Sequence, residues 1–134
     1  MLAACAETYA LDGAALESPE IVFADGMPLH VTLATDELLS GFGEYLDLSV
    51  LEEGDLRLVF LSNLRLMNFR VIEVGYDDGF YVSREVIMQK ELLPDRPIVA
   101  MWAENRGISF MDEDYETRYF TLGYEDDVFL LREF

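Results

Sequence analysis

Carboxylates are the most abundant side chains in this sequence that could take part in chemistry. The chain has 27 acidic and nine basic residues, and its net charge is −18. Two carboxylates can act as general acid and general base when an apolar pocket raises the pKa of one of them. In a chain this acidic, pairs at any chosen separation arise by chance, so spacing selects no catalytic pair. A small carboxylate-dependent enzyme is therefore kept only as the third of three hypotheses.

Nucleophilic catalysis has little support in the residue types. A serine or cysteine nucleophile requires a base within hydrogen-bond reach, and the one histidine, His30, lies in an apolar strand pattern. The one cysteine, Cys5, has no basic neighbour to activate its thiol. The sequence also lacks phosphate-binding, dinucleotide-binding and nucleophile-elbow motifs. We expect no catalytic residue and no cofactor.

Alternating carboxylates at Asp112, Asp114 and Glu116 are the best candidates for metal ligands. An extended chain would present all three on one face, and calcium favours such oxygens. The segment lacks the glycine and the final glutamate of an EF-hand loop. We interpret it as a solvated turn and expect no specific metal site.

Tyrosines beside acids form the most informative pattern. Tyr115 lies between two acids, and Tyr76 and Tyr124 each precede one. Tyrosine is frequent at interface hot spots and its ring stacks on arginine, although tyrosine also favours strands for structural reasons. The pattern predicts a surface that receives a basic protein.

The net charge excludes several partners. A strongly negative surface repels phosphate backbones and anionic membranes, and it attracts basic proteins. We therefore expect no direct binding of nucleic acid or of a membrane. No apolar run approaches the length of a membrane span, a single cysteine permits no intrachain disulfide, and no signal-peptide pattern is present. We expect a cytoplasmic protein, in the host cytoplasm if it is encoded by a phage.

The elements that position the acids are mainly strands. We predict a single domain over residues 1–134 with an α+β, β-rich fold: a curled antiparallel sheet, a meander resembling a barrel or sandwich, with one or two short helices. Residues 1–18 are predicted to form an N-terminal helix or arm. The predicted strands are Glu20–Ala24, Leu29–Ala34, Leu56–Leu61, Met67–Tyr76, Ile98–Ala103, Ile108–Met111, Arg118–Gly123 and Val128–Arg132.

Turn and helix signals refine this prediction. Asp78-Gly79 predicts a tight hairpin, and Ile98–Ala103 is expected to pair with Ile108–Met111. Thr35 is expected to cap a short helix within residues 35–47. Residues 84–93 fit either a strand or a helix, and we favour a helix because good helix formers precede Pro94.

The predicted turns carry acid clusters, and alternate turns of a meander emerge at the same end of a sheet. We therefore expect several clusters to merge into one acidic rim. The candidate partner-binding residues are Asp77, Asp78, Asp112, Asp114, Tyr115, Glu116, Tyr124, Asp126 and Asp127.

These features favour a protein-binding inhibitor that occupies the basic nucleic-acid-binding surface of a partner, with carboxylates in the place of phosphates. Phage anti-restriction and anti-CRISPR proteins and nuclease-immunity proteins act in this way as classes. The comparison rests on shared charge properties and not on a resemblance in sequence. The alternative is a small acidic dimeric chaperone for a secreted or basic client, which needs an exposed apolar groove and allows a homodimer. Replacing turn acids by amides should abolish the first activity and hardly affect the second.

Overall fold

The computed structural model describes Phe23, residues 26–51 and residues 53–134. The predicted helix or arm at residues 1–18 and nearly all of the predicted strand Glu20–Ala24 lie outside the described residues. The described elements are β1 Leu29–Leu33, α1 Asp36–Leu39, β2 Leu46–Asp47, a 3-10 helix Ser49–Leu51, β3 Leu56–Ser62, β4 Leu66–Asp77, β5 Phe80–Leu92, β6 Ile98–Trp102, β7 Arg106–Met111, β8 Thr117–Glu125 and β9 Val128–Glu133.

The strands form two sheets that face each other. One sheet has the order β9-β8-β7-β4-β5 with antiparallel neighbours, and the other has the order β1-β3-β6-β2, in which β2 runs parallel to β6. Buried side chains from both sheets form one core, where the ring of Phe60 on β3 lies 4.9 Å from that of Phe69 on β4. The predicted β-rich fold with little helix is confirmed: the described strands form a sandwich of two sheets and not a closed barrel.

A second, smaller core lies on the outer face of the four-stranded sheet. Val59 and Leu61 of β3 and Val99 of β6 pack there against Leu39 of α1. Thr35 caps α1 as predicted, because the Leu38 N–H donates to its Oγ1 at 3.1 Å. β3 is therefore buried on both faces, which explains its continuous apolar run.

The prediction of a helix at residues 84–93 is wrong, because β5 continues as a strand to Leu92. Its antiparallel ladder with β4 runs from Asp77 opposite Phe80 to Leu66 opposite Leu92, with a bulge at Val71/Ile72. The ladder hydrogen bonds and the burial of Leu92 in the core outweigh the weak helix propensity of the segment.

The expected pairing of Ile98–Ala103 with Ile108–Met111 is also wrong. β6 lies between β3 and β2, whereas β7 lies between β8 and β4, so the chain crosses from one sheet to the other after Trp102. The indole N–H of Trp102 donates to Leu122 O at 2.9 Å and ties the two sheets together at this crossing. Pairing with β3 gives both faces of β6 a buried environment, which a simple hairpin with β7 would not provide.

Candidate partner-binding site

Two hairpins of the five-stranded sheet project beyond the start of β7. Glu73 of β4 is opposite Arg106, the first residue of β7, and β8 pairs with β7 only as far as Thr121. Beyond these positions β4 continues to Asp77 and β8 continues to Glu125. The tips of the β4–β5 and β8–β9 hairpins therefore lie at the same end of the sheet.

Both tips are tight turns made largely of aspartates. Asp78 and Gly79 have φ of 49° and 83°, and Asp126 and Asp127 have φ of 52° and 64°. Two successive residues with positive φ suit the twist of an antiparallel hairpin, and aspartate tolerates this region better than most residues. The turn geometry thus places short, exposed carboxylates at each tip.

A third acidic turn, which contains Asp55, lies at the same end of the sheet because it is hydrogen-bonded to Trp102. The Asp55 N–H donates to Trp102 O at 2.7 Å, and the Trp102 ring lies 6.0 Å from that of Tyr124 on β8. Glu104 follows Trp102 at the crossing between the sheets. We call this region the acidic end, and its exposed carboxylates belong to Glu53, Asp55, Asp77, Asp78, Glu104, Glu125, Asp126 and Asp127.

The Tyr124 hydroxyl is part of the acidic end. It donates a hydrogen bond to Asp127 Oδ1 at 3.2 Å. Desolvation of the hydroxyl, followed by the hydrogen bond and the charge of Asp127, raises the pKa of Tyr124. The phenol therefore stays protonated beside the turn and helps to fix the position of the Asp127 carboxylate.

Five arginines of the described residues pair with carboxylates away from this end of the sheet. The ion pairs are Arg57–Asp47, Arg65–Glu91, Arg70–Glu85, Arg84–Glu73 and Arg118–Glu133. Their acidic partners all lie on strands, and within the described part of the chain none of these pairs includes a carboxylate of the acidic end. These pairs therefore neutralise negative charge along the strands and not at the acidic end.

The remaining candidate residues lie at the opposite end of the sheet, in the turn between β7 and β8. The Asp112 carboxylate accepts hydrogen bonds there from the N–H groups of Asp114 (2.9 Å) and Glu116 (3.0 Å). Tyr115 has φ of 62° and an exposed ring. The expected single rim is therefore corrected: Asp77, Asp78, Tyr124, Asp126 and Asp127 come together, whereas this turn is separate from them.

The same turn was the candidate for metal ligands. One oxygen of Asp112 is used to shape the turn, so the three alternating carboxylates do not form an extended face. Among the residues that the structure describes, no group of three or more acidic, histidine or cysteine side chains is arranged to hold a metal ion.

A notch that the sequence did not predict separates the two projecting hairpins. It is a cavity of about 420 Å³ where β7 has not yet begun. The rings of Tyr76 and Tyr81 form one wall, with centroids 5.3 Å apart in an edge-to-face arrangement. Its lining residues are Val74, Gly75, Tyr76, Tyr81, Asn105, Arg106, Thr121, Leu122 and Gly123.

The signal for this notch is present in the sequence as two glycines inside strand patterns. Glycine within a strand weakens its packing and often marks a place where another backbone or a ligand approaches closely. Gly75 on β4 and Gly123 on β8 both line the notch. Only the strand order shows that these two distant positions flank the same cavity.

Comparison with protein-family models, with curated proteins and with solved structures finds no match to this chain. In the described residues no helix is long and apolar enough to cross a membrane. The geometry and the charge of the acidic end are therefore the features of the protein that point to a function.

Proposed function

We propose that this protein is an inhibitor that binds a basic protein through its acidic end and covers the surface with which that partner binds nucleic acid. The observation that supports the proposal is a difference in location between the carboxylates that pair with arginine and those of the acidic end. Five carboxylates along the strands pair with arginine, while the carboxylates of the acidic end meet at one end of the sheet and belong to none of these five pairs. An unneutralised cluster of this kind attracts a basic surface and accelerates association with it.

The spacing of the two hairpins supports the comparison with a nucleic acid. Neighbouring strands lie about 4.8 Å apart, so β4 and β8, the facing strands of the two hairpins on either side of the position of β7, are about 10 Å apart. The grooves of duplex DNA separate their phosphate rows by about 6 to 12 Å. A basic surface that recognises two rows of phosphates would therefore find carboxylates at a comparable separation.

Three carboxylates of the described residues are poorly suited to act as a general acid. A general acid needs a raised pKa, whereas the pKa values of Asp47, Glu73 and Glu133 are lowered. For Asp47, burial raises the pKa, but the hydrogen bonds from Ser49 and Arg57 together outweigh it. For Glu73 and Glu133, the hydrogen bonds from Arg84 and Arg118, respectively, are the main causes.

A second candidate function is a chaperone for an apolar client, and one observation favours it. β5 is an edge strand whose exposed side chains include Phe80, Tyr81, Val82 and Met88. An edge strand with exposed apolar residues can pair with an extended segment of another protein. Such binding would depend on apolar contact and would persist at high salt, which separates it from the first proposal.

The experiment compares two variants with equal changes in charge. The acidic-end variant carries Asp77→Asn, Asp78→Asn, Asp126→Asn and Asp127→Asn, where asparagine also tolerates the positive φ of the turns. The opposite-end variant carries Asp112→Asn, Glu113→Gln, Asp114→Asn and Glu116→Gln. A basic protein captured by the wild type from a nucleic-acid-free extract is purified, loaded with fluorescent duplex DNA, and titrated with each variant.

The wild type and the opposite-end variant should displace the duplex, and the acidic-end variant should lose this ability. Fluorescence anisotropy of the labelled DNA measures the displacement. Equal loss in both variants would show that only total charge matters. Capture that is insensitive to salt, without displacement of DNA, would favour the chaperone.

A further inference from the structure

We propose that the notch between the two projecting hairpins receives a short extended segment of the basic partner, which adds as a strand between β4 and β8 and carries an arginine or lysine. This inference rests on the proposed function, because it specifies how the basic partner engages the acidic end. The inference concerns a cavity and two strand edges. It can therefore be wrong even if the protein binds a basic partner through the charge of its acidic end.

Unsatisfied strand edges on both sides of the notch give the first argument. The Val74 N–H points toward β7 and donates to Asn105 O at 2.7 Å. Because main-chain groups of alternate residues point to the same side of an antiparallel strand, those of Tyr76 also point into the notch. No described strand pairs with Tyr76 on this side, since the ladder with β7 ends at Glu73.

The β8 side of the notch has the same property. Leu122 O accepts the indole N–H of Trp102 rather than a main-chain donor of β7, and the ladder between β7 and β8 stops at Thr121. By the same alternation, the main-chain groups of Tyr124 face the notch. Both edges thus offer hydrogen-bonding groups to an additional strand, as in recognition by strand addition.

The width of the notch matches one strand. Farther along the same two strands, β7 fills the position between β4 and β8, so the flanks are two strand spacings, or about 10 Å, apart. The volume of about 420 Å³ lies within the range of about 300 to 1,000 Å³ typical of ligand sites. A segment of a few residues therefore fits where β7 is missing.

Charge and aromatic character select a basic segment as the occupant. Tyr76, a residue that is 69% exposed, and Tyr81 present π-faces that attract a cation. Asp77 and Asp78 flank this wall, and Glu125 and Asp126 flank the opposite side. A cationic side chain in the notch would contact the rings while its charge is balanced by both acid clusters.

Arg106 also lines the notch, but it lies opposite Glu73 in the ladder between β4 and β7. The hydrogen bond and charge of Arg84, and at longer range the charge of Arg106, lower the pKa of Glu73. The positive charge of Arg106 is therefore partly balanced by the carboxylate of Glu73.

Gly123 provides a test that leaves the charge unchanged. A Cβ at this position would have no neighbouring atom within 4 Å, and Gly123 lines the notch, so Gly123→Leu adds an apolar side chain to its wall. Gly43→Leu is the matched control, because Gly43 also has open space around it but lies outside the notch. Tyr76→Ala is a second variant that removes half of the aromatic wall.

The probe is a fluorescent pentapeptide of sequence Arg-Val-Arg-Val-Arg, compared with the same peptide carrying N-methyl groups on its main chain and with Thr-Val-Thr-Val-Thr. We expect the wild type and Gly43→Leu to bind the first peptide equally. Gly123→Leu, Tyr76→Ala and the N-methylated peptide should each weaken binding by about tenfold. Fluorescence anisotropy at low salt measures the affinities.

Three results would overturn the inference: unchanged affinity in Gly123→Leu and Tyr76→Ala, equal binding of the N-methylated peptide, or equal binding of the threonine peptide. The last result would assign the notch to an uncharged segment. Failure of the proposed function is distinct, because it appears as full displacement of DNA by the acidic-end variant. Loss of peptide binding in Gly123→Leu together with an unchanged thermal unfolding midpoint would support the inference.

Discussion

The ring of Tyr81 on β5 lies 4.9 Å from the ring of Phe134, which continues β9 by donating its N–H to Tyr119 O at 3.0 Å. β5 and β9 are the two edge strands of the five-stranded sheet and would be about 19 Å apart if the sheet were flat. The sheet must therefore curl until side chains from both edges meet over the face that points away from the second sheet. Ile72 and Ser109 lie on that face and are nevertheless 1% and 0% exposed.

Removing the Phe134 ring should loosen this closure. Phe134→Ala is expected to lower the free energy of unfolding by about 1–2 kcal/mol, because the ring loses its contacts with both Tyr81 and Tyr119. Urea denaturation measures the change. Phe80→Ala is the control, since Phe80 is 73% exposed and its replacement should lower the free energy of unfolding by less than about 0.5 kcal/mol. Equal losses in the two variants would contradict a closing role for Phe134.

Gly107 is expected to tolerate no side chain. A Cβ there would lie 2.3 Å from Phe120 O on β8 and 2.9 Å from Val74 Cγ2 on β4. The first of these atoms is main chain in a paired strand and cannot move alone, so Gly107→Ala should destabilise the protein by about 3 kcal/mol. Gly123→Ala, with open space on neighbouring β8, should be neutral or slightly stabilising. Urea titrations that give the same midpoint for both variants would refute the close approach of β7 and β8.

Asp47 should contribute to the pH dependence of stability. Burial raises its pKa, but the hydrogen bonds from Ser49 and Arg57 and the charge of Arg57 outweigh burial, and the net pKa is lowered. A carboxylate with a lowered pKa stabilises the folded state above its unfolded pKa of about 3.9, and this contribution disappears as the pH falls through the folded pKa. Asp47→Asn should therefore cost about 1 kcal/mol at pH 7 and much less below about pH 3.

Urea unfolding at several pH values tests this prediction for Asp47. Asp95→Asn makes the same chemical change at an exposed position and should alter stability by less than about 0.5 kcal/mol. A difference between Asp47→Asn and the wild type that stays constant from neutral to acidic pH would exclude the ion pair with Arg57 as its cause.

The acidic end should make stability depend on salt. Raising NaCl from about 0.01 M to about 1 M shortens the Debye length from about 30 Å to about 3 Å, which screens repulsion among the turn carboxylates. The thermal unfolding midpoint of the wild type should rise, and that of the acidic-end variant should rise less. Parallel salt curves would show that repulsion among the four substituted carboxylates, those of Asp77, Asp78, Asp126 and Asp127, is weak in the folded state.

Local chemistry allowed several elements to be predicted from the sequence. Asp78-Gly79 defines a hairpin because both positions accept positive φ. Thr35 caps the N-terminus of α1 because its hydroxyl accepts a hydrogen bond from a free N–H of the first turn. The apolar runs around Phe60 and Phe120 predict buried strands. Each of these depends on residues close together in the chain, and the acidity of the turns follows from composition alone.

Long-range pairing decided the rest. Residues 84–92 form a strand because β4 supplies a ladder, and β6 leaves β7 because β3 and β2 offer it partners on both sides. The sequence by itself determined that the turns are acidic, but only the strand order determined that three of them share one end and that the Asp112–Glu116 turn does not. The physical reason is that a turn's position depends on the direction and register of strands that are distant in sequence, and these are fixed by the common core.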